Sequence, residues 1–543
     1  MNKKIIICLS LFFYFSQLTS LAQFTQQDSL RGSLNAERDW WDVTCYNIGL
    51  HPDFTTKTIE GKNEIQFLVV KPGKKMQIDL QAPMVINRVF WKNNVTLPFI
   101  RNGNVYYIEF PEMLKINSLE KITIAFEGNP TIAKNPPWDG GWIFTKDKLG
   151  RPWMSVACQG LGASVWYPCK DHQSDEPDSA FINITIPDTL VAVANGRFIG
   201  KKSYASGETT YKWKVVNPIN NYNIIPSIGK YTTWHENFDG EKGNLDCDYW
   251  VLDYNLEKAK QQFTQASMTL KAFEHWFGPY PFYEDGFKLV ESPHLGMEHQ
   301  SAVAYGNKYL NGYLGRDLSG TGWGLKWDFI IVHESGHEWF GNNITSKDIA
   351  DMWLHEGFTN YSETLFTDYH FGKKAGNEYC IGTRRGIRNE TTIIGNYGVN
   401  NEGSGDMYSK GGSLLHLIRQ LVGDDEKFRQ ILRGLNKTFY HQTVTTQTVE
   451  NYISKNSGIS LSKIFDQYLR TTNIPILEYK IQAGMLSYRW TNCVKDFDLP
   501  LKLESSETWI HPTQQWQEQP LTTDVEVLQI DNNFYITAKK VAS

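Results

Sequence analysis

The spacing of apolar positions changes twice along the 543 residues. From about residue 23 to residue 255 apolar and polar positions mostly alternate, as at Met76, Ile78 and Leu80, at Ile122, Ile124 and Phe126, and at Ile182, Ile184 and Ile186. A period of two between turn residues predicts half-buried antiparallel strands. Around Leu256 the period lengthens. Ala259, Phe263, Ala266, Leu270, Phe273 and Phe277 fall on one helical face, with Asn255 as candidate N-cap and the GPYPF run at 278–282 as the stop. A short strand is expected at 287–290. Helical spacing then continues through the stripe Leu414, Leu417, Ile418 and Leu421, and near 427–435 and 461–470. After Pro475 alternation returns at Phe497, Leu499, Leu501 and Leu503. The pattern predicts a multidomain α+β protein. An N-terminal antiparallel β domain covers 23–255, a mainly helical domain 256–475, and a small β-sandwich 476–543.

The first residues read as a targeting segment. Lys3 and Lys4 form a basic start, 5–15 is largely apolar, and Ser20, Leu21 and Ala22 offer a small-residue cleavage site, so 1–22 is expected to be a signal peptide. The apolar run is short for a membrane span, so none is expected after cleavage, with an uncleaved anchor as the alternative. The protein is then exported, to the periplasm, the medium or the cell surface. Losing two lysines takes the formal charge from −5 to −7. No basic run stands out, which argues against a nucleic-acid partner. Six cysteines remain beyond Cys8, scattered and without a CxxC pair. Cys158 and Cys169 are close enough to bridge a local loop or to stay free.

Chemistry concentrates between Trp327 and Phe371. His333 and His337 are four apart, so a helix places both on one face, where they can hold one metal ion. Glu334, beside the first histidine, can reach a water on that ion as a general base. Histidines on a helix are more often surface or satisfied core residues. Here Phe329, Ile330, Ile331 and Val332 precede the motif and Trp339 and Phe340 follow it, so the segment reads as buried, where unpaired charge is costly. A third ligand is needed, with a position left open for water. Glu356, separated from His337 by 18 residues, is the candidate: the gap suffices for one helix to end, a loop to turn at 341–350 and a second helix to return a carboxylate. Zinc, one ion per chain, is the expected metal. Within the β region, the Gly-rich, then aromatic, then polar run at 157–177 is a long connection of the kind that often carries function.

In order and spacing these residues resemble the zinc signature of the aminopeptidase N-like metallopeptidases, which include the leukotriene hydrolase and the puromycin-sensitive aminopeptidase. HESGHEWFGN is followed after the 18-residue gap by WLHEGF. GMEHQ at 296–300 is similar to that family's exopeptidase motif. DMYSKGG, containing Tyr408, is similar to its catalytic-tyrosine segment, and CQGLGASVWYPCKD to its substrate-amine loop. The likeness runs over roughly 50–475. It implies a thermolysin-like fold for the helical domain, and a three-domain form without the large C-terminal helical domain of longer members, hence a more open cleft. Two positions depart from the family pattern: His299 and His355 stand where it usually has Asn.

The resemblance implies a zinc aminopeptidase acting on peptides with a free N-terminus. His333, His337 and Glu356 hold the metal. Glu334 is the general base and Tyr408 the donor to the oxyanion. Glu298, with Gln159, Gly296 and Met297, binds the substrate's amino end. Glu363, two turns beyond Glu356, either orients a ligand histidine or is a solvated helix acid. His294, His299 and His355 lie near the motifs but none reads as a primary ligand. Two alternatives stand beside this reading: a bifunctional enzyme like the leukotriene hydrolase, and a non-catalytic peptide-binding protein on the same fold.

Overall fold

The computed structural model describes residues 24–504, 508–521 and 526–542. The expected signal peptide at 1–22 lies outside these residues. The α+β class predicted from the two periods is the class observed.

The β region is built around an eight-stranded sheet. Its long central strand, Trp41–Asp53, pairs antiparallel with Thr58–Val69 and parallel with Ser179–Pro187. The alternating triplets point inward as their period requires: Ile122, Ile124, Phe126, Ile182, Ile184 and Ile186 are all buried. A three-stranded and a four-stranded sheet complete this part, and one apolar core runs between the layers.

Three features of this region depart from the sequence reading. One pair of the large sheet is parallel rather than antiparallel. Residues 23–255 also hold a helix, α1 (Gln26–Gly32), opened by a capping box in which Thr25 and Asp28 satisfy each other's backbone N–H groups. At seven residues, mostly polar, it has no apolar stripe to announce it. The change of period near 255 also fails to mark where packing changes. The hairpin Tyr231–Gly240 with Gly243–Leu252 joins Phe287–Glu291, Val303–Tyr305 and Gly296–Met297 in one five-stranded sheet. Leu245, Cys247, Tyr249 and Val251 on that hairpin belong to the core of the helical region. Period reports the local element, not the core it serves.

The helical segment after Leu256 is two helices, α2 (Leu256–Gln262) and α3 (Thr264–Phe277), broken at Phe263. Asn255 precedes α2 but does not cap it with its side chain, because its Nδ2 donates instead to Glu291 (2.7 Å). Then come α4 (Phe329–Gly336), α5 (Trp353–Phe371), α6 (Lys373–Thr383) and α7 (Ser409–Val422). Helices α5 and α7 cross with almost no space between them: a Cβ on Gly411 would lie 2.9 Å from the Cα of Gly357. This glycine contact seats the start of α7, and with it Tyr408, over the start of α5. At the C-terminal end, Ile476–Gln482 and Met485–Thr491 lie at the middle of a four-stranded sheet, and Leu501–Lys502 pairs with Trp509–Ile510. Phe497, Leu499, Leu501 and Leu503 are buried in the same core as the helices. Among the described residues no helix is long and apolar enough to cross a membrane. All six described cysteines are free, and Cys158 and Cys169 are buried unbridged.

Candidate metal centre and active site

Helix α4 is short and wholly buried, and Asp328 fixes its start. The Asp328 carboxylate accepts from the backbone N–H groups of Ile330 and Ile331, and from Tyr305, Asn307 and Gln262 side chains. Its apolar first turn lies in the core, and its last turn presents His333 and Glu334 to a cavity. His337 follows at the C-cap with helical backbone angles. Glu356 sits in the first turn of α5. Its Oε2 is 3.3 Å from His337 Nε2 and 3.7 Å from His333 Nε2. One donor atom from each of the three lies within 4.8 Å of the other two.

The opposite edge of each imidazole is occupied. His337 Nδ1 lies 3.0 Å from the Phe340 carbonyl, with Thr359 Oγ1 at 3.2 Å. A carbonyl can only accept, so Nδ1 carries a proton and Nε2 is the nitrogen that faces Glu356. His333 Nδ1 lies 2.7 Å from Glu363 Oε1, and the Tyr379 hydroxyl donates to Glu363 Oε2 at 2.6 Å. Glu363 is therefore not a solvated helix acid: it is 1% exposed and holds the His333 ring.

The electrostatics ask for a cation. Burial disfavours a charged His333, yet Glu356 and Glu363 outweigh it and hold its pKa well above the usual histidine range. Burial likewise opposes ionisation of Glu356, but His337 and His333 reverse the effect and leave its carboxyl well below the usual range. Glu356 Oε2 is buried without a hydrogen-bond partner among the described residues. Two imidazole nitrogens and one carboxylate oxygen, an acceptor otherwise unsatisfied, fit one Zn²⁺, with room for a further ligand.

Glu334 and Glu298 face the same point. Their carboxylate oxygens and a nitrogen of His337 also lie within 4.8 Å of one another. Burial pushes the Glu334 carboxyl up to about 7 against the pull of the two histidines. Burial and the nearby Glu356 raise Glu298 as well, although His337 opposes them. Glu298 Oε1 accepts from the Tyr222 hydroxyl at 2.9 Å, and its backbone carbonyl accepts from Asn342 Nδ2. Gly296 is required by this closeness: a Cβ there would lie 2.7 Å from Glu334 Oε1 and 2.8 Å from Ile330 Cγ2. Met297 packs beside Ala157 and Ala304.

Gln159 and Tyr408 line the same cavity, of about 470 Å³. Gln159 Nε2 touches Met352 Sδ at 3.4 Å. Its loop is tied down by Cys158 Sγ on the Tyr222 carbonyl and by Arg31 of α1 on the Gly160 carbonyl (2.8 Å). Tyr408 stacks on His333 with ring centroids 6.1 Å apart. Burial, then Glu356 and Glu298, raise its pKa well above the usual phenol range, so the hydroxyl remains a donor.

Every residue expected at the site therefore lines one cavity. None of the three doubtful histidines belongs to the donor clusters. His355 Nε2 accepts from Ser346 N–H (2.8 Å) and burial lowers its pKa to about 3, so it is neutral. His294 and His299 stack edge to face, and burial keeps both neutral. Sequence reasoning missed Tyr222, Thr359 and Tyr379, which hold Glu298, His337 and Glu363, and it missed Glu402, which also lines the cavity. None of the four lies in a motif used for the prediction.

Two family models match the chain: the Peptidase M1 N-terminal domain over residues 43–222 and the Peptidase family M1 domain over residues 261–468. Leukotriene A-4 hydrolase of Xenopus laevis is 24% identical over 331 residues, 58% of this chain and 51% of the relative. Aminopeptidase B of Mus musculus is 24% identical over 361 residues, 62% of this chain and 52% of the relative. The chain thus spans about half the length of these curated relatives. Among solved structures it is similar to the M1 zinc metallopeptidase of Deinococcus radiodurans bound to a Tyr-Ser-Ala substrate. The TM-score is 0.66 and the identity 19%, over 80% of this chain and 95% of that one. A two-domain M1 zinc metallopeptidase bound to L-tryptophan gives a TM-score of 0.65 at 20% identity, over 77% and 91% of the two chains. At these identities the structural likeness is one of fold.

Proposed function

The chain belongs to the M1 peptidase family, and on that premise we propose that it is a zinc aminopeptidase, removing the first residue from peptides with a free N-terminus. The observation that carries the reading is the convergence of Glu334 and Glu298 beside the His333, His337 and Glu356 cluster. A metal hydrolase needs a base beside the metal. An exopeptidase also needs a counter-charge for the substrate's α-ammonium at a fixed distance from it.

When bound, zinc supplies Lewis acidity at the scissile carbonyl and lowers the pKa of water. The remaining work falls to the protein. Glu334 takes the proton of the attacking water and returns it to the leaving amine. The Tyr408 hydroxyl donates to the oxygen that becomes negative as the carbonyl carbon turns tetrahedral. Glu298, braced by Tyr222, pairs with the α-ammonium, and Gln159 offers it an amide oxygen. Gly296 keeps the backbone clear of Glu334. Because Glu298 and Glu334 are so close, only the first residue can bind its amine to one and present its carbonyl to the other. The amino-terminal run with Lys3 and Lys4 supports export, which the N-terminal sequence of the mature protein would test.

The test of function is one peptide in two forms, with a free and with an acetylated N-terminus, each with and without a zinc chelator. Chelator-sensitive release of the first residue from the free form alone is expected. Cleavage of both forms would remove the ruler and leave an endopeptidase. Turnover of neither form, with zinc bound, would favour a peptide-binding protein.

A further inference from the structure

Among the described residues, five carboxylates line the cavity, those of Glu298, Glu334, Glu356, Glu363 and Glu402, and no lysine or arginine does. Four of the five have a task. Glu356 belongs to the metal set, Glu363 holds His333, Glu334 is the base and Glu298 receives the α-ammonium. Glu402 has none. Among the described residues it makes no hydrogen bond or ion pair, and no cation acts on it.

Its place is nevertheless built. The loop that carries it closes on itself where Ser404 N–H donates to the Thr392 carbonyl (3.2 Å), and Gly403 turns through a positive φ of 83° against Ile393. Asn400 of the same loop donates to the Gly160 carbonyl (3.3 Å), beside Gln159. Gly160 has no side chain, and a Cβ there would meet Glu402 Oε2 at 3.6 Å. The carboxylate therefore faces the cavity across the residue that follows Gln159. Glu402 is solvent-exposed, but the space it faces is this cavity, and the surrounding protein raises its pKa.

We infer that Glu402 is a specificity residue that receives a cationic side chain, lysine or arginine, of the peptide's first residue. This rests on the aminopeptidase reading. The α-ammonium of that residue is held by Glu298 and Gln159, so its side chain departs from a point beside Gln159. One long aliphatic stem then brings a charged end group to Glu402. With all five ionised, the carboxylates outnumber by two the three positive charges that zinc and the α-ammonium bring. A cleft lined by one sign of charge concentrates ligands of the other.

Two measurements test this. First, kcat/KM is compared for L-arginine and L-leucine 4-nitroanilides with the wild type and Glu402→Gln. The wild type is expected to prefer arginine, and the ratio to fall at least tenfold in the variant. An unchanged ratio, or equal loss on both substrates, would overturn the inference. Second, calorimetric binding of L-arginine and L-norleucine to the zinc-loaded wild type, at low and high salt, needs neither turnover nor a variant. Tighter arginine binding that weakens with salt is expected; equal binding would overturn the inference. Failure of the aminopeptidase reading is distinct: neither nitroanilide would be hydrolysed, while the binding comparison would still decide the role of Glu402.

Discussion

His333, Glu334, His337 and Glu356 are exposed by 6, 8, 1 and 4%, whereas Tyr408 is 37% and Trp138 70% exposed in the same cavity. The floor comes from two helices, and partners behind it fix each histidine: Glu363 and Tyr379 for His333, Phe340 and Thr359 for His337. The rim comes from three distant segments, near 138, 159 and 402–408, held largely by hydrogen bonds between side chains and backbone. Chemistry that tolerates no displacement sits where the core determines every side chain. On the proposed function, recognition of the substrate's side chains, which can vary without destroying the chemistry, falls to the rim, where the chain is freer. The contrast yields a ranking: changes to the floor act on kcat or on metal affinity, and changes to the rim act on KM.

The largest effect is expected at Glu334. Glu334→Gln keeps size and burial but removes the base, so kcat should fall by about 10²–10⁴ with zinc content unchanged. Metal analysis beside steady-state kinetics checks this, and activity near wild type would break the proposed mechanism. Tyr408 straddles the two regions, because its ring lies on His333 while its edge meets solvent. Tyr408→Phe should keep the stack and lose only the donor, lowering kcat by about 10²–10³ with KM little changed. A rise in KM alone would return Tyr408 to the rim.

Next comes the support behind the metal. Glu363→Gln leaves His333 Nδ1 with a neutral partner in place of a carboxylate. Zinc affinity should fall by about 10–100-fold, measured by competition with a chromogenic chelator. The fully loaded variant should recover most of its activity. If affinity holds and only kcat falls, then Glu363 acts on chemistry and the floor is not a metal-holding layer.

The floor was legible in the sequence because its spacing is local. Two histidines four apart on an apolar helix need no tertiary knowledge, and Glu356 returns on the next helix. Glu363 was open to two readings, because helical spacing places it on the correct face but cannot show that His333 Nδ1 waits there. Outside the floor, the site was legible only where a motif marked it. Gln159, Glu298 and Tyr408 came from resemblance, while Tyr222 and Glu402 lie in segments whose neighbours are set by folding over long sequence distances. Helix α1 was missed for a related reason. It is held by its capping box and by Arg31 on Gly160, and neither leaves an apolar period.

The smallest effect is expected at Trp138, and it examines the contrast most closely. Its ring stands at the cavity mouth, on a turn held by Asp139, whose carboxylate accepts from the Lys134 and Asn135 backbone N–H groups. Trp138→Ala leaves that turn intact and removes an apolar surface that substrate and transition state should meet alike. Such uniform binding appears in KM rather than kcat. Partial burial of one aromatic face is worth about 1 kcal/mol, so KM should rise about three- to tenfold, while kcat, zinc affinity and melting temperature stay near wild type. A comparable fall in kcat would mean that closure over the substrate at Trp138 reaches the reacting bond, and that rim and floor act together. A KM effect confined to long peptides and absent for dipeptides would place Trp138 beyond the first two residues and narrow the recognition site to Gln159, Glu298 and Glu402.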